Sequence, residues 1–402
     1  MKCRYLAALL SAIAAVAVPL LAPAARAAAT LSSTPAIPQY GQALSVAIVD
    51  TPWPVYLPAT GYTISGSTIT LDYDYSPDSF GPWGPDYGYA SVALGELPPG
   101  NYTAVARFHD PSDPGAVAQT LTVNIPVVPP QDPGVYAVPK APRANDVVQV
   151  VVRSAAYFDP ATLEASLSGN VIRVDFDYRA TAPVGGAVPP GMTSFASVKV
   201  GRLAPGSYQV EGWGRPDTGG DYQRYFTASF LVDGESNVIE YYQPQLGHYF
   251  ISAGGDEIGL LDAGGQGGWK RTGQSFHAWA RAQDAPPGAQ PVCRFYAAGP
   301  NSHFYTGDAD ECAQLKSLEQ AQRAEAAAAG TRFFGWGYEG IAFWALMPVD
   351  GQCPAGTDPV WRAYNNRAAE NDSNHRFTVD PLQRVAMAIH WIDEGVAFCS
   401  PH

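Results

Sequence analysis

Apolar and polar residues alternate with a period of two along much of the chain, the spacing that turns one face of a strand to a core and the other to water. Ile69, Leu71, Tyr73 and Tyr75 fall on one side of such a run, and Thr70, Asp72 and Asp74 on the other. The pattern returns 103 residues later, where Ile172, Val174, Phe176 and Tyr178 alternate with Arg173, Asp175 and Asp177. A second block repeats as well: YASVALGELPPGNY (Tyr89 to Tyr102) matches FASVKVGRLAPGSY (Phe195 to Tyr208), at an offset of 106. Two collinear blocks with a small change of offset describe a duplicated module whose loop has lengthened. About 100 residues per copy, several short strands and a Pro-Gly reversal before each following strand predict two immunoglobulin-like β-sandwiches, residues 28–130 and 131–235. The proline-rich stretch from Val127 to Gly134 reads as their linker.

The last part of the chain, 236–402, repeats on a shorter scale. Ile239-Glu-Tyr-Tyr242 precedes His248-Tyr-Phe-Ile251, Cys293-Arg-Phe-Tyr296 precedes His303-Phe-Tyr-Thr306, and Trp361-Arg-Ala-Tyr364 precedes His375-Arg-Phe-Thr378. Each unit (about 238–280, 291–346 and 359–400) ends on a tail beginning at Trp269, Trp336 or Trp391. The helical exception to the strand pattern runs from Cys312 to Ala329, after an acidic start and before Gly330. Two strands flanking a turn, plus a tail read as two more, give four strands per unit and predict a β-trefoil-like domain, with a three-bladed ring as the alternative.

The second unit's Arg-Phe-Tyr, His-Phe-Tyr-Thr and Trp-x-x-Glu-Gly-Ile-Ala-Phe elements resemble a repeat family of unknown function in secreted bacterial proteins, over residues 238–400. In that family the repeat often sits beside enzymes or other binding modules, and it brings no catalytic residue to carry over. The first unit departs from its pattern with Thr272-Gly273 for Glu-Gly and Ile251 for Thr; the third has Arg376 where the pattern is aromatic. The fold class expected is therefore all-β with minor helix.

Composition narrows the setting. Lys2 and Arg4, an apolar run from Leu6 to Leu21 and Ala25-Arg26-Ala27 predict a signal peptide over 1–27, hence export to the periplasm, surface or medium, with no membrane span after cleavage. Cleavage moves the formal charge from -13 to -16, which disfavours nucleic acid and anionic membranes as partners. Four cysteines remain, and local pairing favours Cys293–Cys312 and Cys353–Cys399.

The chemistry in the sequence is sparse. Asp72 with Asp74, or Asp175 with Asp177, offers calcium too few oxygens, and these carboxylates are read as a wet strand face. Three equivalent histidines, His248, His303 and His375, raise the question of zinc, but strand parity sets them beside core aromatics instead and leaves the site of Tyr249, Phe304 and Arg376 exposed. Glu339 and Glu394 read as turn carboxylates rather than a general acid/base pair. No nucleophile elbow, zinc-protease or phosphate-loop motif occurs, so neither catalysis nor a cofactor is expected. Tyr242, Tyr296, Tyr364, Trp269, Trp336 and Trp391, with the histidines and glutamates, are the candidate ligand contacts, suited to glycans of a cell envelope. The alternatives are a structural or protein-interaction module at the cell surface, and a hydrolase with an unrecognised site.

Overall fold

A computed structural model describes residues 30–49, 61–73, 91–110, 113–181, 188–265 and 267–402. The expected leader, Asp74 and Tyr75 lie outside the described residues. Among the described residues the chain is mostly β-strand with three α-helices.

The first module contains β1 (Thr30–Thr34), β2 (Ala43–Val49), β3 (Gly61–Ser65), β4 (Thr68–Tyr73), β5 (Ser91–Glu96), β6 (Gly100–Asp110) and β7 (Asp113–Val127). One sheet is ordered β1-β2-β5, and the other runs β3-β4-β6-β7. Their apolar faces share one core, Leu44, Val46, Ile48 and Val92 from the first sheet against Ile69, Leu71, Tyr73, Phe108 and Ile125 from the second. The second module repeats this with β8 (Gly134–Val138), β9 (Val147–Phe158), β10 (Glu164–Ser168), β11 (Val171–Tyr178), β12 (Thr193–Arg202), β13 (Gly206–Pro216) and β14 (Gln223–Val232). Here β8, β9 and β12 pair together, as do β10, β11, β13 and β14, and the pairing of Phe158 with Tyr178 joins both groups into one seven-stranded sheet.

The pairing departs from the immunoglobulin-like pattern expected above. The central pairs β4·β6 and β11·β13 are parallel; the first crosses over through β5 of the separate sheet and the second through β12, which pairs with β9 at the far end of the same sheet. A parallel pair needs a crossover rather than a hairpin, so the path coils like one turn of a solenoid. Alternation in sequence reports which face is buried and is silent on strand direction.

The C-terminal ring has three units of three strands and one helix. They are β15 (Ser236–Gln243), β16 (His248–Ser252), α1 (Gly255–Asp262) and β17 (Lys270–Ala278); β18 (Gln290–Ala297), β19 (Ser302–Thr306), α2 (Ala309–Ala329) and β20 (Trp336–Ala345); and β21 (Thr357–Tyr364), β22 (His375–Thr378), α3 (Pro381–Met387) and β23 (Ile392–Pro401). The four strands per unit on which the trefoil expectation rested are therefore three. Each tail is one strand, kinked at its glycine by a bulge rather than split. The three sheets meet at a common core, where Phe276, Phe343 and Phe398 form a closed triangle with ring centroids 5.9, 5.5 and 6.4 Å apart. Ile251, Tyr305 and Phe377 fill the next layer. This geometry is that of three blades around an axis. The disulfides are Cys293–Cys312 and Cys353–Cys399, as anticipated.

Helix ends follow their sequence cues. Asp308 caps α2 by accepting from the amides of Asp310 and Glu311, and Gly330 stops it at φ 66°. Asp380 caps α3 by accepting from the amide of Leu382.

Asp72 reverses an expectation. Alternation places it on the wet face, yet it is 2% exposed, because β17 of the ring joins the β3 side of that sheet at Arg271 and Tyr62. Its carboxylate accepts from Lys270 (2.5 Å), Arg107 (2.7 Å) and His109 (3.1 Å). Burial alone raises its pKa, but the hydrogen bonds and positive charge around it hold the carboxyl below its usual range. Asp175 and Asp177 stay half-exposed beside Arg173 and Arg215. The second module is tied to the ring through Asn145, whose amide donates to the carbonyls of Asn237 (2.7 Å) and Ala253 (3.1 Å) and accepts from the amide of Asn237 (2.9 Å).

Candidate binding site at the seams of the ring

The hairpin registers fix which residues are equivalent. Tyr242 faces Tyr249, Tyr296 faces His303, and Tyr364 faces His375. Tyr249 therefore stands where the other units have histidine, and His248 corresponds to Ser302 and Asn374. The assumed threefold set of histidines is corrected to two. A one-residue slip sends a strand side chain to the opposite face, which is what separates His248 from the others. The same shift puts Ser252 level with Thr306 and Thr378. All three hydroxyls accept from the amide two residues on, at the start of the unit's helix. The apparent loss of that threonine in the first unit was thus a misalignment.

Three seams result, one between each pair of neighbouring units. Between units one and two, Arg294 of β18 pairs with Glu339 of β20 at 2.8 Å and with Glu257 of α1 at 2.9 Å. Its guanidinium lies 5.5 Å from the centroid of Phe250 in the preceding unit. His303 meets Phe250 edge to face at 4.7 Å, Tyr296 at 4.9 Å and Glu339 at 3.4 Å. Trp269 completes the row against Phe250 at 5.7 Å. Between units two and three the arrangement recurs. Arg362 pairs with Glu394 at 2.7 Å and lies 5.1 Å from Phe304, while His375 contacts Phe304 at 4.9 Å and Tyr364 at 4.8 Å. Trp336 lies 6.1 Å from Phe304.

The seam that closes the ring uses exchanged charges. Glu240 takes the arginine's place, Arg376 takes the phenylalanine's, and Thr272 takes the glutamate's. Arg376 donates twice to Glu240, at 3.0 Å each, and covers Tyr249 at 4.1 Å. The Thr272 hydroxyl donates to Glu240 at 2.8 Å. Tyr242 and Trp391 flank Tyr249 at 4.8 and 5.9 Å.

Gly273, Gly340 and Gly395 explain the Glu-Gly signature. Their φ angles, +90°, +133° and +84°, belong to a region that side chains rarely occupy. Each follows the extra residue of a β-bulge, so Thr272, Glu339 and Glu394 project into their seams.

Electrostatics makes the seams rigid rather than reactive. Burial, reinforced by Arg294 and Arg362 respectively, pushes the imidazoles of His303 and His375 down to about 3, so both are neutral at ordinary pH. Glu339 and Glu394 stand in different seams, each held by an arginine. Of the site expected to face water, Phe304 is 9% exposed, Arg376 has 12% of its side chain exposed and Tyr249 is half-buried. That expectation is corrected for Phe304 and Arg376, which face the neighbouring unit, something strand parity cannot report, whereas Phe250, expected among the core aromatics, is buried. The three histidines do not converge. His248 is on the opposite face of its strand and links the first unit to the other two, hydrogen-bonding Asp372 of the third at 2.6 Å and the carbonyl of Asn301 of the second at 3.2 Å. Among the described residues no group of His, Cys, Asp and Glu is placed to hold a metal.

Tyr242, Tyr296, Tyr364, Trp269, Trp336 and Trp391 are all half-buried at the outer parts of the seams. These aromatics and the departure at Arg376 stand out in the sequence, but the pairing of Glu240 with Arg376, and of Arg294 and Arg362 with their glutamates, which lock the units together, does not. Arg294 and Arg362 share one place in the repeat, a signal that was visible in the alignment.

A second concavity of about 770 Å³ lies where the two modules meet the ring, beside Tyr62, Asn145, Arg202 and Tyr241. Its ionic groups are largely committed to one another; Arg271 holds Asp262 at 2.7 and 2.8 Å, and the Tyr241 hydroxyl donates to Asp262 at 2.9 Å. Among the described residues no helix is long and apolar enough to cross a membrane.

No curated protein and no solved structure matches the chain. Residues 237–401, the ring with all three seams, match a family described as a domain of unknown function, DUF5648.

Proposed function

We propose that the chain is an exported, non-catalytic binding protein whose ring takes up a glycan of a cell envelope along its seams. The observation that carries this reading is the threefold recurrence of a half-exposed Trp and Tyr beside each buried seam, with polar groups between them. Aromatic faces stack on the apolar faces of sugars, while carboxylate and guanidinium groups read hydroxyls. A hydrolase is disfavoured because Glu339 and Glu394 lie in separate seams and are each neutralised by arginine, whereas an acid/base pair flanks one bond. The two N-terminal modules serve as spacers, in the manner of immunoglobulin-like stalks, and the disulfides suit an oxidising compartment outside the cytoplasm.

The test is calorimetric titration of the full chain with a panel of envelope polysaccharide fragments. Trp336→Ala and Tyr364→Ala are expected to weaken binding by at least about tenfold, corresponding to roughly 1.4 kcal/mol. Retention of no fragment, or binding indifferent to substitutions at all three seams, sinks the reading.

A further inference from the structure

We infer that the two seams built on Arg294 and Arg362 are the ring's ligand sites, that the closing seam is not, and that the ligand they take is an amino sugar with a free, positively charged amine. The inference rests on the glycan reading above and narrows it.

The charge of each seam follows from the repeat. Ser252, Thr306 and Thr378 share one place, and Glu257, Glu311 and Gln383 stand at the same distance beyond them. Arg294 therefore has two glutamates, Glu257 at 2.9 Å and Glu339 at 2.8 Å. Arg362 has Glu394 at 2.7 Å and Glu311 at 3.8 Å. The neighbouring imidazoles of His303 and His375 are neutral at ordinary pH, so each of these seams keeps one negative charge in excess. The closing seam is balanced: Glu240 faces Arg376, and neither Thr272 nor Gln383 brings a charge.

The surplus charge is within reach of a ligand. Glu339 and Glu394 keep 32% and 26% of their side chains exposed, whereas Glu240 keeps 2%. In both exposed glutamates Oε2 meets the arginine and the histidine, and Oε1 accepts no hydrogen bond from a described residue. Both oxygens of Glu240 are taken, by Arg376 and Thr272. The imidazoles differ from the closing seam as well. Nδ1 of His303 and of His375 has no partner, although His375 has only 9% of its side chain exposed, which leaves each of these seams one donor short. In the closing seam that place belongs to Tyr249, covered by Arg376.

An ammonium group matches what these seams offer. It answers the carboxylate through a charge-assisted hydrogen bond, and the faces of tyrosine and tryptophan attract it. Tyr296 and Trp269 supply those faces in one seam, Tyr364 and Trp336 in the other, all half-buried. A uronate or a phosphate meets like charge, both in the seam and over a chain of net charge -13. A neutral sugar can stack but leaves the surplus carboxylate unanswered.

The experiment compares the disaccharides of glucosamine and of N-acetylglucosamine on the full chain, at mildly acidic pH where the free amine is charged. The amine form is expected to bind at least about tenfold more tightly, and its advantage to shrink as salt rises. Equilibrium dialysis is expected to count two sites per chain, one in each of the two seams. Glu339→Gln and Glu394→Gln together leave Arg294 and Arg362 beside Glu257 and Glu311, and are expected to bring the two sugars within about twofold of one another. If that variant fails to fold, as read by circular dichroism, the comparison on the unaltered chain decides. Equal or tighter binding of the acetylated sugar, a count other than two, or a preference that survives both glutamine substitutions overturns the inference and leaves the glycan reading in place. Binding of neither sugar while other envelope fragments are retained does the same, and retention of no glycan at all removes both.

Discussion

Glu240→Gln probes the ring at the seam where chain connectivity gives no help. Glu240 is 2% exposed, and its carboxylate accepts two bonds from Arg376 and one from Thr272. Gln has the same shape and keeps an acceptor for Thr272, so little packing is lost. What remains is the guanidinium of Arg376, shut in a seam without a counter-charge. Removing one partner of a buried pair costs about 3–5 kcal/mol. The contact of Arg376 with Tyr249 at 4.1 Å is present before and after the change and cancels, so the expected loss stays at about 3–5 kcal/mol. Restoring the chemistry of the other seams tests the cause. Glu240→Arg, Arg376→Phe and Thr272→Glu together rebuild the Arg–Phe–Glu arrangement of units one and two, and are expected to recover most of the loss. Urea unfolding followed by tryptophan fluorescence, with Trp269, Trp336 and Trp391 in the ring, measures both. A single variant within about 0.5 kcal/mol of the parent, or a triple exchange less stable than the single one, refutes the argument.

Three further outcomes are expected. His303 and His375 refuse protons until about pH 3, whereas their unfolded counterparts take them near 6.5. Stability is therefore complete above about pH 6.5 and falls as pH drops toward 3, by up to roughly 1.4 kcal/mol per pH unit per histidine; urea midpoints measured across this window should flatten in His303→Phe, and an unchanged slope rejects the assignment. Gly340→Ala meets no atom within 4 Å, so its cost is backbone strain at φ +133°, about 1–3 kcal/mol, read from the same denaturation curves. Replacing Cys293 and Cys312 by serine opens a loop of 19 residues and should lower stability by about 3 kcal/mol; the same change at Cys353 and Cys399, separated by 46 residues, should cost about 4 kcal/mol. Comparable losses in reducing agent would support both.

Much of the candidate site was legible because its parts are local. Asp308 to Gly330 announces a capped helix, and Trp336 to Phe343 announces β structure interrupted at Glu339-Gly340, although the interruption is a bulge and not the turn expected. The histidine register was misread because matching residue types outweighed matching distances. Tyr242 to Tyr249 and Tyr296 to His303 span the same number of residues, whereas Tyr242 to His248 is one short. The exposure of Asp72 was misjudged for a different reason: its cover is Lys270, 198 positions away.

The sequence by itself determined the period-two strands, the recurring blocks and motifs, and the stop of α2 at Gly330, since each is written in consecutive residues; it favoured the local disulfide pairing without choosing it. Only the tertiary structure decided that β4·β6 and β11·β13 run parallel, that each unit has three strands, and that Arg294, Arg362 and the Glu240–Arg376 pair lie between units. Alternation records whether a side chain leaves water, not which distant surface displaces the water, and a buried charge finds its partner only when the chain has brought that surface to it.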